Sequence, residues 1–205
     1  MKVAIIRYNA GNIRSVSFAL ERLGVEPVVT DNHEELLSAD RIIFPGVGHA
    51  ESAMSHLKSV GLDRIIPSLK QPVLGICLGM QLMCKWSDEG DTTCLGIIDC
   101  DVVSMNDIVD TNAEERIKIP HVGWNQINAL RSELFYGIEE SSFQYFIHSY
   151  AVLPNDYSIA LSIHGISFSS AIRKDNFYAV QFHPEKSGNA GSKILDNFLN
   201  LKLQS

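Results

Sequence analysis

The decapeptide Pro72-Val73-Leu74-Gly75-Ile76-Cys77-Leu78-Gly79-Met80-Gln81 constrains this chain more than any other stretch. Val73 to Ile76 is a short apolar run of the kind that forms a strand buried on both faces. Gly75 and Gly79 flank Cys77 in a Gly-x-Cys-x-Gly pattern, a nucleophile elbow with sulfur in place of the serine oxygen. A strand turns directly into a helix only where bulky side chains do not crowd the bend, which is the work expected of the two glycines. Such a bend lifts the Cys77 side chain above the sheet edge and sets its thiol at a helix N-terminus. There the dipole and the free N–H groups favour the thiolate, which is the attacking form. The same residues also fit a buried core cysteine beside two turn glycines, so the rest of the chain decides between the readings.

Residues 2 to 7 read as a first buried strand, followed by the tight loop Tyr8-Asn9-Ala10-Gly11-Asn12, with Asn12 a candidate N-cap. Ile13, Val16, Leu20 and Leu23 recur at helical spacing, and Gly24 is a natural stop. A second strand is expected over 25–29, a short helix over 31–38, and a third strand over 41–44 that runs into Pro45-Gly46-Val47-Gly48. Residues 52–57 and 63–69 read as helical, and the elbow strand follows. Strands alternating with helices imply a parallel sheet covered on both faces, which binds ligands beyond the carboxyl ends of its strands. The loops at 8–12, 45–50 and the elbow leave those ends, so the site is expected among them.

The second half carries short strands separated by turn signals, at 142–147, 157–163 and 166–173, with His164-Gly165 as a hairpin turn. These read as mixed or antiparallel additions to the same domain. The segment 107–116 is polar and reads as a surface loop. Residues 177–182 form another buried strand that delivers His183-Pro184-Glu185. Residues 189–201 read as a last helix, with Ile194, Leu195, Phe198 and Leu201 on one face.

A chain of 205 residues is expected to form one domain over 1–205, large enough for a substantial core. Its formal charge of −7 and scattered Lys and Arg argue against nucleic acid or an anionic membrane as the partner. No segment approaches the roughly 20 apolar residues of a membrane span. The first residues read as a strand rather than a signal peptide. Cys77, Cys84, Cys94 and Cys100 make no zinc pattern, and neither metal nor cofactor is expected. Free thiols without a signal peptide point to a cytoplasmic location.

A cysteine nucleophile needs a base to take its proton and return it to the leaving group, and a third group to orient that base. His183 stands at a strand's end, so it lies beside Cys77 if the two strands are neighbours. Glu185 follows across Pro184, and its carboxylate suits the imidazole N–H. His33, His49, His56, His121, His148 and His164 lack such a context and read as surface or satisfied core residues. Acyl transfer also needs oxyanion donors. The N–H of Leu78, directly after the nucleophile, is the first candidate, and the 45–48 segment offers a second. An ordinary strand-to-helix turn would use the same glycines.

Taken together, Gly75-Ile-Cys-Leu-Gly-Met-Gln81, Gln181-Phe-His-Pro-Glu-Lys-Ser187 and Pro45-Gly-Val-Gly48 resemble the class I, triad-type glutamine amidotransferases. The resemblance narrows to the glutaminase subunits of imidazole glycerol phosphate synthases. It does so through Tyr8-Asn-Ala-Gly-Asn-Ile-Arg-Ser15, Lys118-Ile-Pro-His-Val-Gly-Trp-Asn125, His148-Ser-Tyr150 and Lys186, and it covers essentially the whole chain. It implies a flavodoxin-like α/β fold with a mainly parallel central sheet, flanking helices and added antiparallel strands. It also implies hydrolysis of L-glutamine to glutamate and ammonia by a Cys77–His183–Glu185 triad.

By the same resemblance Gln81 helps hold glutamine, and the oxyanion donors are the N–H groups of Val47, beside Gly46, and Leu78. Asn12, Trp124, Tyr150 and Lys186 match positions at the subunit interface or its hinge. The implied partner is the cyclase subunit of a heterodimer, which uses the ammonia to form imidazole glycerol phosphate and the aminoimidazole carboxamide ribotide. Gly96-Ile97-Ile98-Asp99 departs from the family's usual Gly-Leu-Gly and Ile-Pro-Gly turn, so a different loop is expected there. Because Val47 rather than glycine would supply the key N–H, the 45–48 loop is expected to reorganise on activation. Two rival readings keep parts of this picture. One is an amidotransferase subunit feeding a related cyclase-like partner, for instance in modified-sugar synthesis. The other is a non-catalytic subunit in which Cys77 is structural or redox-active.

Overall fold

The computed structural model describes residues 1–9, 11–108 and 117–202. In chain order the first half comprises β1 (Val3–Ile6), α1 (Ile13–Arg22), β2 (Val28–Thr30), α2 (His33–Leu37), β3 (Arg41–Phe44), α3 (Ala50–Ser59), α4 (Leu62–Ser68), β4 (Val73–Ile76) and α5 (Leu78–Met83). Then come β5 (Trp86–Ser87), β6 (Thr92–Thr93), β7 (Asp101–Ser104) and α6 (Met105–Ile108). After the undescribed 109–116 follow β8 (His121–Ile127), β9 (Ser142–His148), β10 (Tyr150–Val152), β11 (Ser158–His164), β12 (Ile166–Lys174), β13 (Phe177–Val180) and α7 (Gly188–Leu199). The expected elements are present, most of them with shifted ends. The second strand starts three residues late, because Val25 follows the C-terminal turn of α1 and its N–H returns to the Leu20 carbonyl.

The central sheet has the order β11-β12-β13-β4-β3-β1-β2. Strands β13, β4, β3, β1 and β2 are parallel, while β12 and β11 extend the sheet antiparallel. Alternate residues of each central strand feed two core layers. Val3, Ile5, Ile43, Leu74 and Ile76 pack with Val16 and Leu20 of α1 and Ile194, Leu195 and Phe198 of α7. Ala4, Ile6, Ile42, Phe44 and Val73 pack with Leu36, Met54, Leu57, Leu62 and Ile66 on the other face. Burial on both faces is why these strands read as unbroken apolar runs rather than alternating ones.

Not all the later strands join this sheet. Strands β10, β7, β5 and β6 make a small separate sheet, and β8 and β9 form a two-stranded antiparallel ribbon. Within the polar 107–116 segment, Asp107 and Ile108 belong to α6, and the remainder lies outside the described residues. Among the described residues no helix is long and apolar enough to cross a membrane.

Candidate active site

The elbow is formed as its glycines demand. Cys77 adopts φ 53° and ψ −109°, a left-handed conformation unusual for any residue but glycine, between the last residue of β4 and the first of α5. Its N–H donates to the Val180 carbonyl over 2.8 Å. Gly79 lies so close to the end of β3 that a side chain there would collide with the Phe44 backbone, and Gly75 packs against the Gly79 backbone in turn. The thiol therefore stands where the parallel strands end.

The candidate base arrives from the neighbouring strand. β13 pairs with β4 from Phe177↔Val73 to Val180↔Ile76, so the residues that follow both strands emerge at one end of the sheet. His183 is fully enclosed, and its N–H donates to the Tyr145 carbonyl over 2.8 Å. Its Nδ1 lies 2.7 Å from Glu185 Oε1, a pair with both side chains shut off from solvent. The carboxylate fixes Nδ1 as the protonated nitrogen, leaving Nε2, which has no hydrogen-bond partner among the described residues, for the thiol side. Burial works against an imidazolium here, but the facing Cys77 and the Glu185 carboxylate outweigh it and raise the His183 pKa to about 10. The Cys77 sulfur itself touches only weak partners, the Ile147 carbonyl at 3.8 Å and Gln181 Nε2 at 3.7 Å.

Asn12 corrects one expectation. It occupies the N-cap position of α1 with φ 74°, yet its side chain caps no helix N–H. Its amide donates to Glu185 Oε1 instead and lies 3.3 Å from His183 Nδ1, so it braces the orienting carboxylate. The expected oxyanion pair is also only half open. The Leu78 N–H donates to the Gly46 carbonyl at 3.3 Å, and the loop around it is tied by Tyr8 Oη to the Pro45 carbonyl at 2.7 Å and by the Gly11 N–H to the Val47 carbonyl at 3.4 Å.

A cavity of about 280 Å³ opens beside Cys77, walled by Val47, Gly48, Leu78, Gln81, His148 and Tyr150, with Glu89 its only carboxylate among the described residues. Gln81 is held there by Nε2–H bonds to the Tyr150 carbonyl at 3.2 Å and to Gln181 Oε1 at 3.0 Å. His148 Nδ1 reaches the same Tyr150 carbonyl at 2.8 Å, which makes its Nε2 the acceptor for His121 Nδ1–H at 3.0 Å. Burial holds both rings neutral, with pKa values pushed down to about 3 for His121 and about 4 for His148. They are satisfied buried histidines, as the sequence suggests, although His148 also faces the cavity. A larger cleft of about 560 Å³ near Lys70, Arg173 and Asp175 is lined by none of Cys77, His183 and Glu185.

The four residues matched to an interface divide. Trp124 packs edge-on to Tyr145 at 6.0 Å, the Lys186 ammonium lies 5.8 Å from the same ring, and Asn12 is joined to Glu185. Tyr150 is found instead in the cavity wall. Tyr145 and Glu89 line the site without belonging to any motif, and Gln181 opens the 181–187 motif without a role read from it. Only Gln181 carries a sequence signal, two residues before His183 at the end of the β13 run. The register Val122↔Ile147, Trp124↔Tyr145 puts a row of apolar side chains on the outer face of the β8–β9 ribbon. Val122, Trp124, Phe143 and Ile147 are 54, 55, 54 and 41 % exposed there.

Comparison with known proteins fits this geometry. The family model of class-I glutamine amidotransferases matches residues 5–201. The chain is 57 % identical over 201 residues to the imidazole glycerol phosphate synthase subunit HisH of Bacteroides fragilis (strain YCH46), covering 98 % of this chain and all of that one. It is 45 % identical to the subunit of the same name from Pasteurella multocida, with 98 % of each chain covered. Among solved structures, a putative GMP synthase subunit from Thermoplasma acidophilum aligns with a TM-score of 0.73 at 21 % identity, over 97 % of this chain and 92 % of that one. At that identity the likeness is one of fold.

Proposed function

Because the chain belongs to the class-I glutamine amidotransferase family, we propose that it is the glutaminase subunit of an imidazole glycerol phosphate synthase and acts in histidine biosynthesis. As one amidotransferase unit over 1–205, it hydrolyses L-glutamine and passes the ammonia to a cyclase subunit. That partner forms imidazole glycerol phosphate and the aminoimidazole carboxamide ribotide. The relatives do not favour an acceptor in another pathway, and cytoplasmic location goes with this reading.

The observation that carries the chemistry is the enclosed His183–Glu185 pair one strand away from the strained Cys77. In this mechanism the Cys77 sulfur attacks the glutamine side-chain carbonyl with its proton already held on His183 Nε2. The tetrahedral intermediate collapses as His183 returns that proton to nitrogen, ammonia leaves, and a γ-glutamyl thioester remains. Water, deprotonated by the same imidazole, then releases glutamate. Glu185 orients the ring and stabilises the imidazolium, and Asn12 steadies Glu185. Gln81, held between the Tyr150 carbonyl and Gln181 in the cavity wall, helps hold the glutamine.

The oxyanion would be held by the N–H groups of Leu78 and Val47, beside Gly46. The Gly46 carbonyl occupies the first of these, so the 45–48 loop must turn before the site is complete. The cyclase is expected to cover the apolar face of the β8–β9 ribbon and the adjoining Lys186, which couples partner binding to the triad.

Glutaminase turnover of the purified chain, alone and with the cognate cyclase carrying its ribotide ligand, tests this reading. Activity should be weak alone, rise sharply in the liganded complex, and fall in Cys77→Ala by on the order of 10⁴-fold or more. Full activity of the isolated chain would refute the gated site. Absence of activity in the complex would refute the assignment.

A further inference from the structure

We propose that Cys84 and Cys100 form a redox-active thiol pair that a hydroperoxide closes to a disulfide. Cys84 directly follows α5, and Cys100 directly precedes β7. β5 and β7 run parallel with Trp86 opposite Asp101, and one step earlier the Lys85 N–H donates to the Cys100 carbonyl over 3.0 Å. This register brings the two sulfurs to 3.4 Å. A disulfide bond is about 2.05 Å long, so the remaining gap is on the scale of side-chain rotation. The pair sits where the chain departs from the family's usual turn, at Gly96 to Asp99. It belongs to the core layer opposite the one containing Cys77, so the catalytic reading makes no use of it.

The two thiols are not equivalent. Cys84 is completely enclosed, whereas Cys100 keeps 9 % of its surface and is the one an oxidant can reach. The Cys100 S–H donates to the Cys84 sulfur over 3.4 Å, and the Cys84 S–H donates in turn to the Met80 carbonyl over 3.5 Å, so the pair is held in register. Being the less enclosed of the two, the Cys100 sulfur is the one a peroxide meets, and the inner Cys84 sulfur resolves.

In the first step the Cys100 thiolate attacks the peroxide. An S–O bond forms, the O–O bond breaks, and the released alkoxide, or hydroxide from hydrogen peroxide, takes a proton. In the second, Cys84 sulfur attacks the Cys100 sulfenic acid. The S–S bond forms, the S–O bond breaks, and the hydroxyl leaves as water with the Cys84 proton. Two thiols are oxidised and one peroxide is reduced.

The test uses the full chain carrying Cys77→Ser, so that the active-site thiol consumes no oxidant, treated with hydrogen peroxide and mapped by mass spectrometry without reduction. The expected result is a linked peptide pair joining Cys84 and Cys100, two fewer titratable thiols, recovery of both with dithiothreitol, and no link in Cys100→Ala. If alanine unfolds the chain, the isosteric Cys100→Ser replaces it. Free Cys84 and Cys100 after treatment that oxidises Cys77 in the unsubstituted chain would overturn the proposal, as would a link from Cys84 to Cys94. Neither result depends on glutaminase activity.

Discussion

Replacing Gly79 by alanine would put a methyl carbon 1.8 Å from the Phe44 carbonyl oxygen and 2.9 Å from its carbon. Ordinary contact begins at 3.4 Å, so α5 and the end of β3 must separate by roughly 1.6 Å or deform by as much. No flexible side chain can yield, because the obstacle is backbone and every residue of α5 is buried. Overpacking of this kind costs about 1–3 kcal/mol, and a backbone collision belongs at the upper end of that range. For a chain of this size each kcal/mol lowers the melting temperature by about 2–4 °C, giving an expected fall of about 6–12 °C. The same displacement carries Leu78 and Cys77 away from His183. A misplacement on the order of 1 Å costs about 10²-fold in rate, so glutaminase activity of the liganded complex should fall by at least tenfold. Circular-dichroism melting and a glutamate-release assay on one preparation read both effects. A melting point within about 2 °C of the unsubstituted chain, together with full activity, would show that the elbow does not bear on β3 as described.

Two further outcomes follow from the groups around the triad. Tyr8→Phe removes the buried hydrogen bond to the Pro45 carbonyl and leaves that acceptor unpaired, at a cost of about 1–3 kcal/mol, read as a lowered urea midpoint; an unchanged midpoint would mean the bond gives the loop no support. Glu185→Gln should destabilise the fold most near pH 6.5 and below, and progressively less as pH rises toward 10. The His183 pKa is raised to about 10, so its contribution is complete below the ordinary value of 6.5 and lost as pH climbs through the folded value. Denaturant titrations across that window check the sign, and a stability difference that grows with pH would refute the pairing.

Much of this site was readable because its elements obey local rules. The elbow needs two small residues at fixed spacing, and buried parallel strands need continuous apolar runs. Val73–Ile76 and Phe177–Val180 therefore announce themselves, and their pairing brings Cys77 and His183 to one end. What was illegible depends on contacts between distant segments. Asn12 looks like a helix cap, because asparagine before an apolar periodic run usually is one. Here its amide is drawn to a carboxylate 173 positions away. Tyr145 carries no motif, and its place between Trp124 and Lys186 exists only once β8 pairs with β9. Tyr150 sits with His148 in the cavity wall rather than on the outer face of the ribbon, since one residue separates β9 from β10 and each joins a different sheet.

These placements divide the site into a fixed half and a movable half. Cys77 and His183 hang from adjacent central strands whose every residue is buried, so their relation cannot change without breaking the core. Three hydrogen bonds hold the 45–48 segment among the described residues, and one of them, Leu78 N–H to the Gly46 carbonyl, is the bond that a bound oxyanion would replace. Its rearrangement costs little beyond exchanging one acceptor for another, provided something favours the turned peptide. A partner covering the apolar ribbon meets Tyr145, and Tyr145 offers its carbonyl to the His183 N–H while its ring lies beside Lys186, next in sequence to Glu185. The surface that would receive the cyclase thus reaches the base in one residue, whereas the oxyanion loop is joined to the elbow by the Leu78 N–H. Activation that altered the triad geometry first would contradict this division; activation that released Leu78 from Gly46, with the His183–Glu185 distance unchanged, is what the two halves require.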